Sequence, residues 1–102
     1  VAARIGGIAS SVSYAASKGG LLSATKSYAK VLGEYNINVN AVCPSVIKTN
    51  MTANTNYSAV GVPLGRLGET DDVAEVIAFL ASDASKYITG QGIDINGGSY
   101  MN

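Results

Sequence analysis

Apolar positions change their spacing along the chain, and those changes divide it into elements. Residues Arg4 to Ser10 are short, apolar and β-compatible around Ile5 and Ile8, which predicts a strand opening into the polar run Ser10, Ser11 and Ser13. From Tyr14 the spacing becomes helical: Leu21, Ala24, Tyr28, Val31 and Leu32 form one apolar row, with Lys26, Ser27, Lys30 and Glu34 mainly on other faces. Gly33 is the expected terminator. Gly19 and Gly20 each cost roughly 1 kcal/mol relative to alanine in a helix, so keeping them predicts close approach by another backbone or a ligand.

After a turn at Tyr35 and Asn36, Ile37 to Cys43 alternates and then becomes continuously apolar, which predicts a buried strand ended by Pro44. Ser45 to Gly61 is polar and without period, and reads as a loop. Thr70 is the expected cap of a second helix with Asp71 and Asp72 in its first turn and a buried stripe at Val73, Val76, Ile77 and Leu80. Gly92 to Asn96 alternates as a last strand before a turn at Gly97-Gly98. Strand, helix and strand in this order predict a βαβ unit, hence an α/β fold with a parallel sheet.

Composition narrows the function. At 102 residues the chain suits one small domain, 47% hydrophobic and only 14% charged, so part of its surface is expected to be covered by something else. Seven basic and seven acidic residues leave no field for nucleic acid or an anionic membrane. The lack of histidine removes Ser-His-Asp and Cys-His catalysis and the commonest zinc ligand, so no metal site is expected. A single cysteine, Cys43, no run of 18 apolar residues and no signal-peptide pattern near Val1 predict a soluble, cytoplasmic protein.

The chemistry then falls on Tyr14 and Lys18, one helical turn apart on the same face. A free phenol has a pKa of about 10, and a nearby ammonium favours the phenolate. This builds an acid-base pair without histidine.

Four separated motifs together resemble the short-chain dehydrogenase/reductase family. Tyr14-Ala15-Ala16-Ser17-Lys18 is similar to its Y-x-x-x-K active site, and Ser10 to its carbonyl-binding serine. Val39 to Thr49 resembles the N-A-x-x-P-G-x-x-x-T segment, with Ser45 at the glycine, and Gly90-Gln91 with Asn96-Gly97-Gly98 resembles the carboxyl-terminal T-G-Q…D-G-G element. The resemblance implies part of a Rossmann-like doubly wound parallel sheet with helices on both faces. Residues 1–102 would be the carboxyl-terminal catalytic portion of that domain, the chain beginning about where the family's fifth strand begins. The glycine-rich nucleotide turn does not occur in these residues, so NAD or NADP is implied without a preference.

The resemblance also assigns roles. Tyr14 would exchange a proton with the oxygen of an alcohol or ketone, Ser10 would hold that oxygen, and Lys18 would assist Tyr14 and bond the nicotinamide ribose. Tyr14, Lys18, Pro44, Ser45, Ile47 and Thr49 would contact the cofactor, and Asn54 to Val62 would belong to a lid over the substrate. A homodimer or homotetramer is implied. The contrasting reading is an inactive remnant of such an enzyme that serves only subunit association. Ser10 and Tyr14 stand four positions apart, where the family has a longer loop.

Overall fold

The structure is a computed structural model that describes residues 12–48 and 59–101. Helix α1, Val12–Leu32, leads through a 3₁₀ turn, Gly33–Tyr35, to strand β1, Ala41–Pro44. Two short strands follow, β2 (Ile47–Lys48) and β3 (Gly68–Glu69), then helix α2 (Thr70–Leu80), a 3₁₀ turn (Asp83–Ser85) and strand β4 (Gly92–Ile95). β1 pairs β4 in parallel, Ala41 opposite Gly92 through Pro44 opposite Ile95, and β2 pairs β3 in parallel. The expected parallel α/β arrangement is present, with β1, α2 and β4 as one crossover unit. The expected strand at Arg4 to Ser10 lies outside the described residues.

Helix α1 gives way at Gly33 to the 3₁₀ turn, and the left-handed stop that closes that turn is Asn36. Asn36 is left-handed, with φ 59° and ψ 36°. Its N–H donates to the Gly33 carbonyl at 2.9 Å, and the Ile37 N–H donates to the Leu32 carbonyl at 3.3 Å. This is the paired bonding of a Schellman stop, which asparagine can occupy because it tolerates the left-handed region. The expected strand from Ile37 starts only at Ala41, and the residues before it meet the segment ahead of β4 largely through side chains. Asn38 donates to the carbonyls of Lys86 and Ile88, Asn40 donates to Ile88 and accepts from the Gln91 N–H, and the Val39 N–H donates to Thr89 Oγ1.

The inward side of α1 also differs from the expected row. Thr25 and Ala29 are buried, each 7% exposed; of the expected row Ala24 and Leu32 are half-buried, whereas Leu21, Tyr28 and Val31 are more than half exposed. Small residues let the helix settle against the turn before β4: a Cβ built on Gly90 would lie 3.4 Å from that of Ala29. Gly19 and Gly20 meet nothing within 4 Å, so the described chain makes no close approach there.

Helix α2 is capped by Glu69, not by Thr70, which is its first helical residue. Glu69 and Asp72 form a reciprocal capping box, the Glu69 N–H donating to Asp72 Oδ2 at 2.7 Å. Val73, Val76 and Leu80 of the expected stripe are half-buried, while Ile77 is 50% exposed. At the far end Ser85, 2% exposed, donates to the carbonyls of Leu80 and Ser82.

Candidate active site

Tyr14 and Lys18 occupy the first turns of α1. Helical geometry stacks residues four apart, and the Lys18 Nζ lies 5.4 Å from the centroid of the Tyr14 ring, within cation-π range. Ser17 between them donates to the Tyr14 carbonyl at 2.9 Å, which turns its hydroxyl back along the helix. Both Tyr14 and Lys18 are exposed, so a ligand from outside can reach them. Among the described residues Lys18 forms no ion pair with a carboxylate. Its three donors suit a ligand that brings hydroxyl oxygens, as a ribose does.

A second group gathers at the carboxyl ends of β1 and β4. Pro44 is the last residue of β1, where no ladder donor is needed from it. The Ser45 N–H donates to the Ile95 carbonyl at 3.0 Å and continues the pairing by one residue. Asn36 is the only non-glycine with positive φ among the described residues, so Ser45 needs no glycine conformation at the position where the family pattern has one. Ile47 opens β2 opposite Gly68. A Cβ on Gly68 would lie 2.5 Å from Ile47 Cδ1, so glycine there lets the two short strands meet. Ser10 and Thr49 lie outside the described residues.

The same end of the sheet carries a polar clamp that periodicity did not reveal. Arg66 donates to Asp72 through Nη1 at 2.7 Å and Nη2 at 3.0 Å, and Nη1 also reaches the Leu67 carbonyl. The bidentate bond from Arg66, helped by the Glu69 N–H, holds the Asp72 carboxyl down at about 2. The residues are six apart across a loop and a helix start, a spacing that belongs to no regular element. A cavity of about 200 Å³ lies beside the clamp and is lined by residues of both strand ends, including Ser45 and Ile95.

A family model described as enoyl-(acyl carrier protein) reductase matches residues 1–100. The chain is 51% identical over 90 residues to a 3-oxoacyl-[acyl-carrier-protein] reductase of Thermotoga maritima, covering 83% of this chain and 37% of that protein. It is 43% identical over 93 residues to a human (3R)-3-hydroxyacyl-CoA dehydrogenase, covering 86% of this chain and 36% of that protein. Among solved structures, a 3-oxoacyl-[acyl-carrier protein] reductase from Brucella melitensis superposes with a TM-score of 0.90 at 36% identity, over 99% of this chain and 40% of that one. A short-chain type dehydrogenase/reductase from Mycobacterium ulcerans superposes at 0.80 with 34% identity, over 84% and 34% respectively. The chain therefore spans well under half the length of these relatives, and its strands and helices are part of a Rossmann-like doubly wound α/β fold. No helix among the described residues is long and apolar enough to cross a membrane.

Proposed function

The chain belongs to the short-chain dehydrogenase/reductase family, and we propose that residues 1–102 are the carboxyl-terminal catalytic portion of a single Rossmann-like domain in an NAD(P)-dependent oxidoreductase. The observation that carries this reading is the Lys18 ammonium held 5.4 Å from the Tyr14 ring on an exposed helical face. In the reducing direction Tyr14 gives its proton to the carbonyl oxygen of the substrate, and in oxidation it takes that proton back. Lys18 stabilises the negative charge left on the phenol oxygen and offers its remaining donors to the ribose. Ser10 holds the substrate oxygen. Pro44, Ser45 and Ile47 at the strand ends, with Thr49, form the side of the site that receives the cofactor. When bound, the nicotinamide supplies or accepts the hydride at the substrate carbon.

The relatives' names describe the two directions of one interconversion, a ketone and an alcohol at carbon 3 of an acyl chain. This supports a 3-oxoacyl or 3-hydroxyacyl substrate for the whole protein. The single cysteine supports a cytoplasmic location, and the exposed Leu21, Tyr28 and Val31 on α1 support a homodimer or homotetramer. The test uses the full-length protein that carries this chain. Loss of NADH or NADPH absorbance is followed with 3-oxoacyl thioesters, and with enoyl thioesters as the contrast set by the description of the family model. Turnover of the ketones, lowered about 10²–10⁴-fold by Tyr14→Phe, supports the proposal. A full-length protein that binds neither cofactor overturns it in favour of the inactive remnant.

A further inference from the structure

The stretch from Ser45 to Lys48, which the oxidoreductase reading gives to the cofactor, leaves the main sheet almost as soon as it begins. β1 pairs β4 as far as Pro44, and the Ser45 N–H adds one bond to the Ile95 carbonyl at 3.0 Å. Past that point Ile47 and Lys48 pair with Gly68 and Glu69 in a separate two-stranded sheet, and the Gly68 N–H donates to the Val46 carbonyl at 3.3 Å. A pair of strands this short does not hold itself in place in water, since even a full isolated hairpin is marginal. β3 therefore needs an anchor of its own.

That anchor is one carboxylate in the first turn of α2. Asp72 Oδ2 accepts the Glu69 N–H at 2.7 Å, on one side of Gly68 along the chain. Arg66, on the other side, donates to it through Nη1 at 2.7 Å and Nη2 at 3.0 Å, and the same Nη1 reaches the Leu67 carbonyl at 3.2 Å. β3 is thus tied to α2 both before and after Gly68, and α2 itself packs on β1. A Cβ built on Gly68 would meet Ile47 Cδ1 at 2.5 Å and Asp72 Oδ2 at 3.9 Å, so this one residue lies against both β2 and the clamp.

The clamp is open to water, with the Arg66 and Asp72 side chains 54% and 32% exposed, so its contribution to global stability is modest. Its two parallel bonds fix direction instead, which the point charge of a lysine would not do.

We propose that Arg66 and Asp72 are positioning residues: by holding β3 they set where Ile47 and Lys48 lie, and so shape the strand end that receives the cofactor. The proposal rests on the oxidoreductase reading for the identity of what meets Ile47. Neither residue touches the cofactor or takes part in the proton exchange at Tyr14. Breaking the clamp then loosens β2 and weakens cofactor binding, and leaves the chemical step at saturating cofactor nearly as it was.

The test compares full-length wild type with Arg66→Gln and Arg66→Lys. Hydrogen exchange in the cofactor-free protein is read at the Gly68 amide, with the Ala41 amide, which donates to the Gln91 carbonyl, as the control. In Arg66→Gln, exchange at Gly68 is expected to quicken about tenfold while Ala41 is unchanged. The dissociation constant for NADH or NADPH, from fluorescence titration, rises about five- to tenfold, and kcat at saturating cofactor stays within about twofold. Arg66→Lys falls between wild type and Arg66→Gln in both readouts. Unchanged exchange at Gly68 overturns the proposal, and so does an equal increase at Gly68 and Ala41, which would make the clamp a general support of the fold. Faster exchange at Gly68 with unchanged cofactor affinity overturns the positioning role and leaves the oxidoreductase reading intact. A wild type that binds neither cofactor overturns that reading and the positioning role with it. Arg66 is exposed, and circular dichroism of both variants checks the fold.

Discussion

Replacing Gly97 by alanine tests how the sheet end is built. Gly97 has φ +60°, and an added Cβ would lie 2.7 Å from Val62 Cγ1, closer than real Cβ contacts come. The left-handed conformation costs a residue with a side chain about 1–2 kcal/mol. Forcing a methyl group into an occupied space costs about 1–3 kcal/mol more. The two act through different atoms, one on the backbone and one on the segment above it, so a total of about 3 kcal/mol is expected. In a domain of about 150–250 residues that lowers the melting temperature by about 6–12 °C. Gly19→Ala is the matched control. Among the described residues nothing lies within 4 Å of a Cβ there and the position is inside α1, so alanine is expected to stabilise by about 1 kcal/mol and raise the melting temperature by about 2–4 °C. Thermal unfolding of the full-length protein, followed by circular dichroism, reads both. If Gly97→Ala melts within a degree of the wild type, or both variants shift in the same direction, the account of the glycine turn is wrong.

Two further outcomes follow from side-chain bonds. Asp72 titrates at about 2 in the folded protein against an ordinary 3.8, so its stabilising effect is complete above about pH 4 and is lost as pH falls through about 2. Acid unfolding of Asp72→Asn is expected to be flatter than that of the wild type between about pH 4 and 2, and a parallel profile refutes the assignment. Asn40→Ala removes the acceptor of the Gln91 N–H and one of the two donors to the Ile88 carbonyl, which Asn38 still bonds, and costs about 0.5–1.5 kcal/mol. Hydrogen exchange at the Gln91 amide should quicken in that variant; unchanged protection would show that the turn before β4 is held by other bonds.

Both helices and the strands β1 and β4 were legible because the change from strand spacing to helical spacing is local, whereas β2, inside the expected loop Ser45 to Gly61, and β3 are too short to show a period. α2 shows this well, with Val73, Val76 and Leu80 on its inner side as their spacing requires. α1 was harder, since a helix with two apolar sides gives the same count whichever one faces inward. Packing chose the side with the small residues Thr25 and Ala29, because the turn at Gly90 comes close there. Helix ends were read from residue type, and type placed the caps only in part. α1 stops just before Gly33 as expected, but the left-handed stop falls on Asn36 at the end of the 3₁₀ turn, and Thr70 yielded to Glu69, whose partner Asp72 lies three residues on.

For the site, the Tyr14–Lys18 pair was legible because both residues lie on one helix, where four positions make one turn. The Arg66–Asp72 clamp and the cavity beside it were not, because they join a loop, a helix start and two strand ends. Only the fold brings those together.

The outer row of α1 bears on how the protein is handled. Leu21, Tyr28 and Val31 are 57%, 59% and 64% exposed and lie along one side of a 21-residue helix. A greasy ridge about 15 Å long, on a chain with formal net charge zero, meets little electrostatic resistance to sticking. Residues 1–102 expressed alone are therefore expected to precipitate or to ride on chaperones, and Leu21→Lys with Val31→Glu is the pair of changes to make first when soluble material is wanted.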